Sequence, residues 1–426
     1  MRRTVSATPL LGLVLALALV ACGQPQTAAQ PAPSGGQAAS GQQPAAQPAA
    51  QAEPIKIGAV VPLTGRYAAL GSQVKPGYEI AVEDVNAAGG VDVGGVRRPL
   101  DLKILDDESN PSQTVQRLES LASGDKVVAY LGGAGSDLHA AGAALGDKNK
   151  IPYLGIAFAL YDIHQHGLKY LFSPFPKSPD IGRALFELIN SLPQGERPAR
   201  YAIFHEKTDW GLEQAKYYTE SAQRNGYQIV LDEEYAPGAK DFSDIILKAK
   251  SANADALLGM PNPPDGMAIV KQMKELDWNP KLLFLVRAPD NPNWGENLGK
   301  DGDYVLFMPG WHNAAKYPGV AELNAKYQAR FNRPADVLTG PSYALVQILA
   351  DALHRAGKTD GESLRNALAQ TDLPNTVIGP VKFNADGTGV VDVLVPQWQN
   401  GKAELVWLRE QASAPIQYPA KPFSER

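Results

Sequence analysis

The run Ile55-Lys56-Ile57-Gly58-Ala59-Val60-Val61, broken by Pro62-Leu63-Thr64-Gly65 and followed by a helical pattern from about Gly71 to Ala88, decides the fold. An apolar, β-branched run bounded by turn residues reads as a buried strand, and the pattern behind it as a helix. Gly89-Gly90 stops that helix, Leu100-Asp101-Leu102-Lys103-Ile104-Leu105 restores a strand, and Asn110-Pro111-Ser112 starts a second helix with a capping side chain and a proline in the first turn. Val127 to Leu131 is a third strand, ending in Gly132-Gly133-Ala134-Gly135-Ser136-Asp137; a helix to about Asp147 and the strand Ile151 to Ala157 follow. Repeated strand–helix units of this length build a parallel sheet covered by helices on both faces. Ligands of such sheets collect at the carboxyl ends of the strands. Those ends are the loops 62–66, 107–110, 132–137 and 157–161.

Farther along, Tyr170 to Ser173 is a short extended piece, and Ser178-Pro179-Asp180 opens a helix through about Asn190, with the serine as its cap. A second α/β series then runs through strands at Arg200 to Phe204, Tyr227 to Glu233, Asp255 to Gly259 and Leu282 to Val286. Its exit loops are 205–211, 260–265 and 287–294. Tyr304 to Met308 is strand-like, and 318–331, 340–354 and 361–370 are helical. The turn dipeptides Asp386-Gly387 and Asn400-Gly401 mark hairpins, so the tail carries antiparallel edge strands.

The N-terminus reads as a leader. Arg2 and Arg3 precede an apolar run from Leu10 to Ala21, too short for a permanent span but suited to a secretory signal. It ends in Leu19-Val20-Ala21-Cys22, which resembles the lipobox of bacterial lipoproteins, so Cys22 is the expected lipid attachment site. Cys22 is the one cysteine of 426 residues, which leaves no internal disulfide. Residues 23–53 are Gln, Ala, Pro, Gly and Ser with the single charge Glu53, a composition with nothing to bury, and read as a tether. A folded body of about 370 residues exceeds what one core ordinarily supports, which predicts two lobes. The net charge of −5, with no Lys/Arg cluster, gives no nucleic-acid surface, and the six histidines lack the spacing of a metal site.

The glycine-rich loop with Ser136 brings backbone close to a ligand and offers a hydroxyl and free N–H groups. It matches neither the dinucleotide fingerprint nor Walker A. Tyr67, Trp210 and Trp294 stand in exit loops and together suggest an aromatic-walled cleft. Arg287 and Asp290, at the mouth of a late strand, suit an ionic ligand group. His164 and His166 read as loop surface and Trp311 as a packed connector. The sequence offers no nucleophile elbow, H-E-x-x-H or Cys–His arrangement, so a non-enzymatic binding role is expected.

From Pro54 to about Gly389 the chain resembles the periplasmic branched-chain amino-acid-binding proteins of ABC transporters. The stretches that carry the resemblance are 55–58 with 62–65, Ala87-Ala88-Gly89-Gly90-Val91, Asp106 to Pro111, Asp209-Trp210-Gly211, Tyr235 to Ser243, and Gly379 to Gly387. It implies a type I periplasmic binding fold: two α/β parallel-sheet lobes joined by three hinge crossovers. Residues 54–172 with 309–377 would form one lobe and 173–308 with 378–410 the other, leaving a tail at 411–426. The family's carboxylate clamp falls on Gly133, Ala134, Gly135 and Ser136. Its second part falls on Ala157, Phe158 and Ala159, where the family's hydroxyl is absent. Trp210 replaces a tyrosine, Met260 to Asn262 occupies the loop of a second tyrosine, and Asp290 is the implied ammonium partner, with Arg287 an alternative partner for a carboxylate. An aliphatic or aromatic amino acid, an aromatic or other organic acid, and a small amide or urea-like compound all stay open as solutes. The resemblance implies a monomer with no cofactor that serves ABC permease subunits; a sensory binding module is the alternative.

Overall fold

A computed structural model describes residues 52–426. The leader, Cys22 and all but the end of the tether lie outside the described residues. The strands are β1 (Ile55–Val61), β2 (Val91–Val93), β3 (Val96–Arg98), β4 (Leu100–Asp106), β5 (Tyr130–Leu131), β6 (Tyr153–Leu154), β7 (Leu171–Phe172), β8 (Arg200–Glu206), β9 (Gln228–Tyr235), β10 (Ala256–Gly259), β11 (Leu282–Leu285), β12 (Val305–Leu306), β13 (Asp372–Thr376), β14 (Gly379–Phe383), β15 (Gly389–Val390), β16 (Val395–Gln399) and β17 (Lys402–Trp407). The helices are α1 (Ala68–Ala87), α2 (Pro111–Ser120), α3 (Ser136–Asn149), α4 (Asp162–Gln165), α5 (Ser178–Ser191), α6 (Asp209–Arg224), α7 (Ser243–Ser251), α8 (Pro263–Glu275), α9 (Trp294–Leu298), α10 (Val320–Phe331), α11 (Thr339–Ala356) and α12 (Gly361–Ala369).

Two sheets organise the body. The first has the order β4-β1-β5-β6-β7 and is parallel throughout, with Ile55 opposite Leu100 and Gly58 opposite Tyr130. β1 is buried at every position but Lys56, because helices cover both faces. The second sheet, β17-β16-β12-β11-β10-β8-β9, is parallel from β12 to β9 and closes with the antiparallel hairpin β16-β17. Asn400 and Gly401 turn that hairpin at φ 51° and 75°, the left-handed region that an Asn-Gly turn accepts. The chain passes between the two lobes after β7, after β12 and after β15.

Several local expectations change. The implied second-lobe segment from residue 378 does not enter the second sheet until Val395. β13, β14 and β15 form a separate antiparallel sheet, Ser173 bridges Thr388, and Phe383 packs on Phe172 at 5.2 Å, so this segment flanks the first lobe's last strand. β2 and β3 form a hairpin that the strand pattern did not announce, because its two arms have only three residues each. Ser178 is not the cap of α5: Lys177 precedes the helix, Asp180 Oδ2 accepts the Lys177 N–H at 3.1 Å, and the Ser178 hydroxyl donates to the Ala159 carbonyl at 2.9 Å. The helix behind the β8 exit begins at Asp209, inside the expected exit loop 205–211, because Thr208 Oγ1 accepts the Gly211 N–H at 3.1 Å and caps it earlier.

Candidate ligand cleft

Corresponding turns of the two lobes position the cleft walls. A Cβ on Gly71 would stand 2.0 Å from the Pro62 carbonyl, and one on Gly211 2.0 Å from the Glu206 carbonyl. Only glycine lets the first turns of α1 and α6 sit this closely on the strand ends before them. Trp210, next to Gly211, is thereby fixed on a helix rather than in the loop the sequence suggested, and it is 5% exposed.

Between the lobes lies a mostly apolar, tightly closed compartment with a cavity volume of about 40 Å³. Of the residues singled out in the sequence, Ser136, Ala157, Phe158, Ala159, Trp210, Arg287 and Asp290 line it. Ser136 opens α3, and Ala157 holds φ 53°, a left-handed conformation that costs a residue with a Cβ and that clusters at functional turns. A second compartment shares Ser136, Trp210 and Arg287 and adds Tyr67, Asp137, Glu206 and Asp209, so its wall is acidic.

Arg287 divides the two compartments. Its Nη2 lies 2.9 Å from Glu206 Oε2, and its guanidinium sits 4.5 Å from the Trp210 ring and 5.7 Å from the Tyr67 ring. Asn262 donates its side-chain N–H to the other Glu206 oxygen. Burial opposes the Arg287 charge, but Glu206 and the neighbouring acidic groups outweigh it and raise the pKa. Burial also raises that of Glu206, against the pull of Arg287. Tyr67 donates to Asp137 at 2.9 Å, and Arg66 pairs with the same carboxylate at 2.5 Å.

Asp290 is different. It ends the turn after β11, is 7% exposed, and its Oδ1 is buried with no hydrogen-bond partner. Burial pushes its carboxyl well above the usual carboxylate range, with Arg287 pulling the other way. Its backbone carbonyl accepts Gln73 Nε2 from the other lobe at 2.8 Å. Trp210 Nε1 and Arg287 Nε are buried without partners as well. Buried polar atoms without partners cost stability, and a cleft is where such atoms are kept for a ligand.

Other singled-out residues fall elsewhere. Gly133 and Ala134 are buried behind the lining, and Gly135, at φ 107°, sits so close to the Tyr67 ring that a Cβ would stand 2.8 Å from it. Met260 belongs to the second-lobe core, and Asn262 reaches the site only through Glu206. Trp294 does not wall the cleft: it is fully buried and donates to the Gly302 carbonyl at 3.0 Å. His164, read as surface, is buried, with Nδ1 at 2.9 Å from the Asp386 carbonyl, and Trp311 is a buried connector that donates to the Val377 carbonyl at 2.7 Å. Among the described residues no cluster of His, Cys, Asp and Glu is placed to hold a metal. Leu70, Phe175, Ile181, Val286, Met308 and Leu338 complete the apolar wall; they sit in helices, a strand exit and crossovers where apolar residues read simply as core. Glu206 had one sequence signal, a carboxylate at the end of a strand.

Comparison with known proteins agrees with this architecture. A family model described as periplasmic binding protein matches residues 54–403. The Leu/Ile/Val-binding protein homolog 7 of Brucella abortus is 24% identical over 383 residues, 86% of this chain and 94% of its own. The branched-chain amino acid transporter substrate-binding protein LivJ of Streptococcus pneumoniae, solved with isoleucine, has a TM-score of 0.74 at 22% identity, covering 86% of this chain and 100% of that one. A solute-binding protein of R. palustris solved with benzoate has a TM-score of 0.72 at 19% identity, covering 85% and 97%. At these identities the structural likeness is one of fold, and the fold accommodates both solutes. The two sheets, the three crossovers and the match across most of the body make this chain a member of the periplasmic binding protein family, with a type I periplasmic binding fold.

Proposed function

We propose that the chain is the extracytoplasmic solute-binding component of an ABC importer, and that its cleft captures an amino acid with an aliphatic or aromatic side chain. The observation that carries this reading is Asp290, a buried carboxyl with a free oxygen in an otherwise apolar compartment. An α-ammonium group supplies the charge and the hydrogen bonds that Asp290 lacks, Ser136 on the opposite lobe suits the α-carboxylate, and Phe158, Phe175, Ile181 and Met308 suit the side chain. The names of the relatives support an amino acid. A second reading, an aromatic or other organic acid, rests on Arg287, whose unpartnered Nε lies beside Trp210.

Calorimetry with L-leucine, L-phenylalanine and benzoate on wild type and Asp290→Asn decides between them. Removing the ammonium partner weakens amino acids by about tenfold or more, at 1.5–3 kcal/mol for a charged hydrogen bond. It leaves an organic acid unaffected or tighter. Amino-acid affinity unchanged in a folded variant sinks the ammonium assignment.

Attachment to the membrane through Cys22 belongs to the same reading and rests on the apolar run and Leu19-Val20-Ala21-Cys22. Wild type partitioning into the detergent phase, with Cys22→Ala recovered soluble, is the expected result; wholly soluble wild type in its native host ends the claim.

A further inference from the structure

Glu213 bridges the lobes with both carboxylate oxygens, at a segment close in sequence to Phe158 and Ala159, whose carbonyls accept Lys177 Nζ and the Ser178 hydroxyl of the second lobe at 2.9 Å each. It sits on α6, three residues after Trp210 and so on a neighbouring face of the same helix. One carboxylate oxygen accepts the Tyr161 N–H at 2.7 Å and the other accepts the Asp162 N–H at 2.8 Å. Tyr161 and Asp162 belong to the segment between β6 and β7 of the first sheet, whereas α6 follows β8 of the second. Glu213 does not line either compartment of the cleft.

The receiving segment is held from behind. Tyr161 donates its hydroxyl to Asp386 Oδ2 at 3.3 Å, and His164 Nδ1 lies 2.9 Å from the Asp386 carbonyl, which ties the segment to the turn between β14 and β15. The two donors are thus presented side by side by anchored backbone. Among the described residues Glu213 forms no ion pair with Lys, Arg or His, so its charge meets these two N–H groups rather than a cation on its own lobe.

We propose that Glu213 is a positioning residue that latches the lobes in the closed arrangement and thereby sets how long the solute is held. The proposal rests on the reading of the cleft as a solute site that closes, but not on which solute it takes. When the lobes part, the carboxylate exchanges two fixed N–H donors for water, so the pair of charge-assisted bonds favours the closed state alone. Trp210 and Glu213 lie a turn apart on one rigid helix, so the solute at the first and the latch at the second pull α6 toward the same lobe. A latch of this kind raises affinity without touching the solute, because apparent affinity scales with the population of the competent state. Gln73, which donates to the Asp290 carbonyl across the cleft, is another interlobe contact but stands too near Asp290 to separate closure from solute contact.

The test uses the full chain carrying Cys22→Ala, with and without Glu213→Gln, and L-isoleucine as probe. Two quantities are read: the dissociation constant and rate for isoleucine, and the hydrogen exchange of the Tyr161 and Asp162 amides with isoleucine and without it. The latch predicts isoleucine binding weaker by about tenfold, carried mainly by faster dissociation, with the melting temperature little changed, and faster exchange at both amides. A merely structural role lowers the melting temperature and leaves the dissociation rate where it was. If wild type does not bind isoleucine while the amide exchange responds to Glu213→Gln, the amino-acid reading fails and the latch contact stands. A folded variant with unchanged amide exchange, or with unchanged isoleucine dissociation, overturns the latch. Glu213→Asp, which keeps the charge but shortens the reach, is expected to fall between wild type and Glu213→Gln.

Discussion

Arg287 and Glu206 form a buried ion pair at 2.9 Å, with side chains 13% and 1% exposed, and the guanidinium lies 4.5 Å from the Trp210 ring and 5.7 Å from the Tyr67 ring. The pair holds Arg287 in place before any solute arrives. Glu206→Gln removes the charge that compensates Arg287 and leaves it buried, a change that costs about 3–5 kcal/mol when one partner of such a pair is lost. A large drop in denaturation midpoint is expected, and because Glu206 is not assigned a solute contact, the loss of stability should exceed the loss of affinity. Urea unfolding beside calorimetry checks this; a variant as stable as wild type would show that Arg287 finds its compensation elsewhere.

Ser136 opens α3 at the wall common to both compartments. Ser136→Ala removes one charge-assisted hydrogen bond from a solute carboxylate in a closed site, about 1.5–3 kcal/mol or roughly 10–150-fold in affinity. Titration of the folded variant with L-leucine reads the effect. Equal affinity would move the carboxylate to Arg287.

Trp210 reaches the cleft from the second lobe, and its ring lies 4.5 Å from the Arg287 guanidinium. Trp210→Ala removes that wall and frees the guanidinium, so affinity should fall at least as far as in Ser136→Ala. The compaction on adding solute, read by small-angle scattering, should shrink with it. Lower thermal stability with normal affinity and normal compaction would assign Trp210 to its own lobe only.

His139 gives the fold a pH dependence. It is 1% exposed, stacks on Phe158 at 4.2 Å, and its Nδ1 lies 2.8 Å from the Gly135 carbonyl, while Nε2 has no partner. Burial lowers its pKa from 6.5 to about 4. Between those values the unfolded chain binds the proton and the folded chain does not, so stability is full above pH 6.5 and is lost as pH falls toward 4, by about 3 kcal/mol. His164, pushed down to about 3 chiefly by burial, acts in the same direction. Melting temperatures measured from pH 7 to 4.5 should fall in wild type and fall less in His139→Gln; equal slopes would remove His139 from the acid response.

The repeating strand–helix pattern, the turn dipeptides and the apolar seven-residue strand β1 were legible because they depend on local spacing and local backbone preference. So were Ser136, Trp210, Arg287 and Asp290, since the ends of parallel strands are where side chains converge. The tertiary structure alone decided which of the marked residues meet. Trp294 and Trp210 look alike in sequence, yet the first lies in its own lobe's core while the second lines the compartment it shares with first-lobe residues. Glu206 and Arg287 are 81 residues apart, and Glu213 meets Tyr161 over 52. The first contact depends on how strands distant in sequence are ordered within the second sheet and the second on how the two lobes face each other, and neither follows from any periodicity along the chain.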